Sequence, residues 1–203
     1  MKLASDSFRN RAAMPSAQLA TGGNRHPQLR WSEVPAGTAS LALLCLAADR
    51  PDGDFCHWSV VDIPPSLTSL AAGALPAADA PPDAPSPTTQ AAPDVTPALA
   101  PRAAPDARPA IAPRAAPDAT PAVARCAALG VPLPRQGLND FGRPGYAGPA
   151  PAAGGARHYI FRLYALDVPR LDLPASFTGA DVLNAIYGHI IDEAQLIGAY
   201  TYK

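Results

Sequence analysis

The sequence has few of the residue patterns that mark zinc-binding, disulfide-rich or membrane-spanning proteins. Its three cysteines are Cys45, Cys56 and Cys126, and none belongs to a CxxC motif or to a Cys/His pair with zinc spacing. No stretch of about 18 apolar residues occurs, so no transmembrane helix is expected. Residues 1–10 lack the apolar segment of a signal peptide. These absences predict a cytoplasmic protein without a metal site.

The sequence also lacks a large net charge and the motifs of common enzyme active sites. The net charge is −1 and no long run of like charges is present, which disfavours binding to nucleic acid. No GxSxG, HExxH or phosphate-binding P-loop motif occurs. Cys56 and His57 are neighbours, but adjacent residues of a strand point to opposite faces and cannot readily form a nucleophile–base pair. The sequence therefore predicts a protein that is not an enzyme and needs no cofactor.

Proline is in excess, and half of it is concentrated in one segment. Of the 26 prolines, 13 lie between Pro76 and Pro121, where a 12-residue repeat beginning APD occurs in tandem. Because proline removes a backbone donor and disfavours helix and central strand, we interpret residues 74–127 as a disordered insert rich in polyproline II. A docking arm for a proline-recognition domain is the alternative. Residues 1–73 and 128–203 then form one discontinuous domain.

Outside the insert, the pattern favours strands and one late helix. Four segments combine apolar, aromatic and β-branched residues with flanking turn residues: Ser40–Leu46, Phe55–Ile63, His158–Leu166 and Gln195–Tyr202. Thr178 and Asp181 have the spacing of a capping box. Apolar residues follow at helical spacing at Val182, Leu183, Ile186 and Ile190. Gly188 is expected to bend or end this helix. Many strands without βαβ alternation predict a mainly β, sandwich-like fold.

Three separated blocks carry recognisable motifs in a fixed order. The first contains NRHPQLRW, VPAGTASLALL and FCHWSVVDIPPSLTSL, the second is QGLNDFGRPGYAGPAPAAGGARHYIFRLYALD, and the third contains GHIIDEAQLIGAY. Together these blocks resemble the phosphatidylethanolamine-binding protein (PEBP) family, in its bacterial YbhB/YbcL-like branch of Raf kinase inhibitor-like proteins. The corresponding family patterns are PAGTxSxAL, HW followed by NIP or DIP, GxNDFGxxGYxGPCPPxGxHRYxFxLYALD and GHxLAEAxLxGTY.

The resemblance implies a Greek-key β-sandwich with a small C-terminal helix, in agreement with the strand pattern. It also implies a shallow cavity that takes anions such as phosphate or phosphoethanolamine head groups, in proteins without an established catalytic activity. Family members are also described as inhibitors of kinases or serine proteases, and bacterial relatives are often homodimers. We therefore expect a small phosphate-like ligand. A kinase or protease partner and a homodimer are further expectations.

Matching the family motifs to this chain gives a set of expected ligand-binding residues: His57, Asp49, Arg157, Tyr159, Gly148 and Pro149. In the family's DPDxP segment, gapless counting places Ala47 at the first acid and Asp49 at the second, with Asp52 as the alternative if the alignment shifts. Arg157 occupies the position of the family's HRY histidine. Both changes make the cavity more positive, and a guanidinium offers a planar donor fork suited to phosphate.

The expected pocket has more than one interpretation. The segment Gly142–Gly155 can present backbone N–H groups to an anion, and His57 donates more strongly when protonated. We therefore expect a small anion to bind without a second carboxylate to receive an ammonium group. Alternatively, His57 is a structural strand histidine and Arg157 a solvated charge, or the chain is a degenerate paralogue that folds without a ligand. Residues with expected structural roles are His26, His189 and Asp140.

Overall fold

The computed structural model describes residues 1–48, 53–77, 122–150 and 156–201. Its strands are β1 (Lys2–Ala4), β2 (Leu29–Ser32), β3 (Ser40–Ala47), β4 (Phe55–Ile63), β5 (Ser69–Leu70), β6 (Arg135–Gln136), β7 (Ala156–Leu166) and β8 (Ile190–Thr201). Its helices are α1 (Ala122–Leu129) and α2 (Gly179–Ile186), and a 3₁₀ turn spans Ser16–Gln18. The prediction of a mainly β fold with a small helix near the C-terminus is confirmed.

The larger of two sheets has the strand order β6-β4-β3-β7-β8, and every neighbouring pair is antiparallel. Strand β3 has the sequence SLALLCLA and is buried along its whole length. A strand that is covered on both faces carries apolar residues at successive positions instead of alternating them with polar ones. This is why the apolar run beginning at Ser40 forms the middle of the sheet.

The two faces of the larger sheet pack against different partners. On one face, Leu43 shares a buried cluster with Trp31 of the smaller sheet, which has the order β1-β2-β5. On the other face, Leu44 packs with Val182 of α2 and with Phe177 just before it. We call the first contact the inter-sheet core and the second the helix-side core. The predicted sandwich is therefore present, with α2 as an additional cover.

Helix α2 begins with the capping box predicted from the sequence. The Thr178 hydroxyl accepts the Asp181 N–H at 3.3 Å, and the Asp181 carboxylate accepts the Thr178 N–H at 2.8 Å. The helix ends at Ile186, and Gly188 has a φ of 87°, a conformation that glycine adopts without steric cost. The chain then enters β8 at Ile190, so the expectation that Gly188 bends or ends the helix is confirmed, and Ile190 belongs to the strand.

Two other segments differ from the sequence prediction. Strand β8 begins before the predicted Gln195, because it pairs with the whole length of β7. Residues 122–127, which we placed in the extended insert, are helical in α1; this stretch, AVARCA, is proline-free and rich in alanine, the residue with the highest helix propensity. The rest of the predicted disordered insert falls largely on residues 78–121, which lie outside the described residues.

None of the helices in the described ranges has the length and apolarity needed to cross a membrane.

Strand β4 contains two bulges relative to β3, one at His57 and one at Asp62. A bulge adds one residue to one strand, which re-aims a side chain, and bulges are over-represented beside functional sites. The bulges therefore direct two polar side chains of β4, His57 near its start and Asp62 near its end.

Candidate functional site

The site expected from the sequence centres on His57, near the start of β4. Cys45 pairs with Trp58 and Leu46 pairs with Cys56, so His57 is the extra residue of the first bulge. Cys56 packs in the helix-side core, whereas Trp58 lies in the inter-sheet core. The imidazole of His57 contacts aromatic rings on the inter-sheet side. The prediction that Cys56 and His57 point to opposite faces is confirmed. Because of the bulge, His57 and Trp58 lie on the same face of the larger sheet.

His57 is held by two hydrogen bonds to the loop that precedes β7, one from its imidazole and one to its backbone carbonyl. Nδ1 of His57 lies 2.6 Å from the carbonyl oxygen of Ala147, and the Ala147 N–H donates to the carbonyl oxygen of His57 at 3.0 Å. Because a carbonyl oxygen can only accept, Nδ1 carries the ring proton. A further proton can then be gained only at Nε2, and it makes the ring a cation. The loop therefore sets both the orientation of the ring and the atom at which it ionises.

Aromatic rings surround this imidazole. The ring centroids of Phe55, Phe141 and Tyr159 lie 5.1, 5.6 and 5.0 Å from that of His57. His57 is only 5% exposed, whereas Phe141 is 40% exposed and forms part of the surface beside it. Of these residues, His57 and Tyr159 were predicted from the family motifs, whereas Phe55 and Phe141 were not. Phe55 could have been found, since it lies two residues before His57 on a predicted strand, but the position of Phe141 depends on its turn.

The turn that places Phe141 is fixed by its two preceding residues. The Asn139 side-chain amide donates to the Gly145 carbonyl at 3.0 Å, and its oxygen accepts the Phe141 N–H at 3.0 Å. The Asp140 carboxylate accepts the Cys56 N–H at 2.6 Å, and the Asp140 N–H donates to the Cys56 carbonyl at 2.9 Å. These bonds attach the turn to β4 immediately before the bulge. Asp140 therefore stabilises a loop, as expected.

Gly148 and Pro149 hold the loop against the N-terminal segment of the chain. The Gly148 N–H donates to the side-chain oxygen of Asn24 at 2.7 Å, and the Pro149 carbonyl accepts the Ala20 N–H at 2.9 Å. A Cβ at Gly148 would lie 2.1 Å from the carbonyl oxygen of Gln18, which leaves no room for any other residue. The expectation that the glycine-rich loop offers N–H groups to an anion therefore does not extend to Gly148, whose N–H is already bonded.

The remaining predicted residues lie at the same end of the larger sheet. Arg157 is half-buried on β7, two residues before Tyr159, and side chains two apart on a strand share a face. Ala47, at the position of the family's first acid, is buried and pairs with Tyr159. Asp49 lies outside the described residues. The fold thus brings His57 and Tyr159 into contact and places Arg157 on the face of β7 that carries Tyr159.

The nearest thiol has little nucleophilic character. Burial, and after it the nearby Asp140 carboxylate, raise the pKa of Cys56 to about 12. The thiol is therefore protonated at neutral pH, and the thiol form is a poor nucleophile.

His26 is a structural histidine behind the site. Its ring stacks on Trp58 with centroids 4.6 Å apart, Nδ1 donates to the Pro27 carbonyl at 2.9 Å, and Nε2 accepts the Leu75 N–H at 3.0 Å. Burial is the main cause that lowers the pKa of His26 to about 4, so the ring is neutral at neutral pH. The expected structural role of His26 is confirmed, while His189 lies at the surface with Nδ1 2.9 Å from a carboxylate oxygen of Asp167.

Known proteins resemble this chain over nearly its whole length. A family model described as phosphatidylethanolamine-binding protein matches residues 4–101 and 81–201. A UPF0098 protein of Methanothermobacter thermautotrophicus is 33% identical over 200 residues, covering 98% of each chain. The UPF0098 protein YbhB of Escherichia coli is 27% identical over 207 residues, covering 99% of this chain and 100% of YbhB.

Two solved structures have the same fold as this chain. The crystal structure of Escherichia coli YbcL, described as a new member of the mammalian PEBP family, matches with a TM-score of 0.70 at 23% identity. The match covers 100% of this chain and 98% of YbcL. A structure described as a PEBP homologue, CT736 of Chlamydia trachomatis, matches with a TM-score of 0.66 at 25% identity, covering 100% of this chain and 97% of CT736.

Proposed function

This chain belongs to the phosphatidylethanolamine-binding protein family, and from that premise we propose that it binds a small anion at His57 without catalysing a reaction. The ligand class is phosphate or a phosphoethanolamine-type head group. The observation that carries the proposal is the bond from His57 Nδ1 to the Ala147 carbonyl. This bond orients the ring and places a proton on Nδ1, and an imidazole that gains a second proton is a cation.

The surroundings of His57 suit a negative ligand. An anion beside a protonated imidazole receives a charge-assisted hydrogen bond, which is roughly twice as strong as a neutral one. Arg157 adds a guanidinium on the face of β7 that carries Tyr159, and Tyr159 contacts the imidazole. Binding without catalysis is supported by Cys56, whose thiol is protonated and packs on the other side of the sheet.

Ala47 favours recognition of the phosphate over recognition of the ammonium group. A methyl group stands where the family motif has a carboxylate, so the ammonium of phosphoethanolamine gains no ion pair at this position. We expect phosphate and phosphoethanolamine to bind with dissociation constants within about threefold of each other, a difference below about 0.7 kcal/mol.

Calorimetric titration of the full chain with inorganic phosphate and phosphoethanolamine tests the proposal. Arg157→Ala should weaken phosphate binding about tenfold, because it removes a charge-assisted contact of about 1.4 kcal/mol. The matched control is Arg30→Ala, which removes an exposed arginine that is 3.3 Å from Asp6 on the smaller sheet and should leave binding unchanged. Absence of binding at millimolar phosphate, or equal affinity in Arg157→Ala, would contradict the proposal and favour a degenerate paralogue.

A second candidate function is inhibition of a kinase or serine protease through protein contact. It is favoured by Phe141, an exposed aromatic ring next to His57, because aromatic residues beside a pocket are frequent anchors of protein interfaces. The test is inhibition of a serine protease and of a protein kinase by the wild type and by Phe141→Ser. Inhibition that Phe141→Ser and saturating phosphate both abolish would place the partner at this pocket, whereas lack of inhibition in both assays would exclude these two activities.

The state of the thiols supports a proposal for the cellular location. All three cysteines are buried thiols that form no disulfide in the described part of the chain, as is common in proteins of reducing compartments. We therefore propose a cytoplasmic location. The expected homodimer stays a prediction, and sedimentation analysis of the full chain tests it.

A further inference from the structure

A cavity lies at the opposite end of β4 from His57. It has a volume of about 450 Å³, within the range of small-molecule sites, roughly 300–1,000 Å³. It is lined by residues from β3, β4, β6 and the segments beside them, and its charged members are Asp62, Arg135 and Arg170. Asp62 lies five residues after His57, on the order of 15 Å along the strand. The cavity is therefore separate from the anion site proposed above.

The carboxylate in this cavity is held by the second bulge of β4. Val61 and Asp62 together lie opposite a single residue of β3, and Asp62 has a φ of 59°. This left-handed conformation is uncommon outside glycine, although Asp adopts it more readily than most residues. One Asp62 oxygen accepts the Leu171 N–H at 3.0 Å, and the other accepts Nε of Arg135 at 2.6 Å. Both oxygens of the carboxylate are therefore engaged within the fold.

The two arginines are held to different degrees. Arg135 also donates from Nη2 to the Leu171 carbonyl at 3.0 Å, and its guanidinium lies 5.4 Å over the ring of Phe177. Arg170 approaches Asp62 only to 3.8 Å, which is too long for a hydrogen bond, and its side chain is 72% exposed. The three charged residues of the lining carry a net charge of +1. Arg170 donates no hydrogen bond to any residue that the structure describes, so its guanidinium can contact a ligand beside the fixed guanidinium of Arg135.

The rest of the lining is mostly apolar. It consists largely of prolines with Val131 and Leu133, and the Ser40 hydroxyl is directed to the Val168 carbonyl at 2.6 Å. We propose that this cavity binds a small carboxylate with a compact apolar body, whose carboxylate contacts Arg170 and whose body packs on Val131 and Leu133. One excess positive charge matches a monoanion, and a guanidinium fork matches the planar carboxylate.

Benzoate is a suitable probe, with benzamide as its neutral analogue. Titration of the full chain, followed by saturation-transfer NMR, should give a millimolar dissociation constant for benzoate and binding at least about tenfold weaker for benzamide, since the amide loses the ion pair. Arg170→Ala should weaken benzoate about five- to tenfold. Arg30→Ala, the same change at an exposed arginine that also faces an aspartate, should leave it unchanged.

A second variant tests the apolar part of the site. Leu133 is 48% exposed, so Leu133→Asp should fold while placing a repelling charge against the ligand, and it should weaken benzoate at least fivefold. Undetectable benzoate binding at about 10 mM, or equal affinity in the wild type and Arg170→Ala, would overturn the proposal. Displacement of benzoate by inorganic phosphate together with its loss in Arg157→Ala would overturn it as well, because benzoate would then occupy the His57 site. Failure of the phosphate titration alone leaves this cavity unaffected.

Discussion

His26 should make the protein less stable as the pH falls from 6.5 towards 4. In the unfolded chain its imidazole has the ordinary pKa of 6.5, whereas burial lowers the pKa in the folded protein to about 4. Between these values the unfolded state binds more protons than the folded state, so stability increases with pH across this window and is complete above it. The loss is about 2 kcal/mol at pH 5 and about 3 kcal/mol at pH 4.

Urea denaturation of the wild type and of His26→Gln at pH 7.5, 6 and 5 measures this effect. Glutamine does not titrate, so subtracting the two curves removes the contribution of every other ionisable group. His26→Gln should be less stable at pH 7.5, because it loses the stack on Trp58. Its deficit should shrink by about 2 kcal/mol by pH 5. A suitable control is His189→Gln, since His189 is exposed and paired with Asp167.

Parallel stability curves for the wild type and His26→Gln between pH 7.5 and 5 would refute this reasoning. They would mean that the imidazole takes up a proton in the folded state as easily as in the unfolded chain. Burial of the imidazole against Trp58 and the Leu75 N–H would then not keep it neutral in the folded protein. The His189→Gln control should not show a shrinking deficit, because His189 is exposed at the surface beside Asp167.

Three further results are expected. Gly148→Ala should destabilise the protein by about 3 kcal/mol in urea denaturation, because the added methyl group meets a backbone carbonyl oxygen at 2.1 Å; Gly37→Ala, where nothing lies within 4 Å, should cost about 1 kcal/mol. Asp62→Ala should cost about 3–5 kcal/mol, because it leaves a half-buried guanidinium without its partner, whereas Asp6→Ala breaks an exposed pair and should cost about 0–1 kcal/mol; similar losses would contradict this. Cys56 should resist iodoacetamide in the native protein at pH 8 and react after unfolding, as followed by mass spectrometry, and rapid native labelling would show that its pKa is not raised.

The regular elements were predictable because their causes are local. Strand β4 has the predicted bounds Phe55–Ile63, since a dense run of aromatic and β-branched residues is bounded by turn residues on both sides. The Thr178–Asp181 capping box also follows from spacing alone. The end of the helix was predicted at Gly188, whose positive φ marks its end, although Ile190 continues the helical spacing beyond it. The start of β8 was predicted too late, since its pairing partner β7 decides where the strand begins.

Much of the site could not be predicted from neighbouring residues. The motif match selected His57 and Tyr159, and the structure brings these two rings into contact. Gly148 was assigned to the ligand from the motif match, yet its N–H donates to Asn24, a residue 124 positions earlier in the chain. Phe141 was missed, because a turn anchored on β4 places it beside the imidazole.

The order of the amino acids alone specifies which segments become strands, where α2 begins and which family motifs are present, because these depend on side chains within a few positions of one another. Tertiary structure decides the rest through strand register. A single extra residue in one strand reverses the face that a side chain occupies, and such a residue directs His57 towards one site and Asp62 towards the other. The position of each extra residue depends on how β4 pairs with β3, so it cannot be predicted from the sequence of β4 alone.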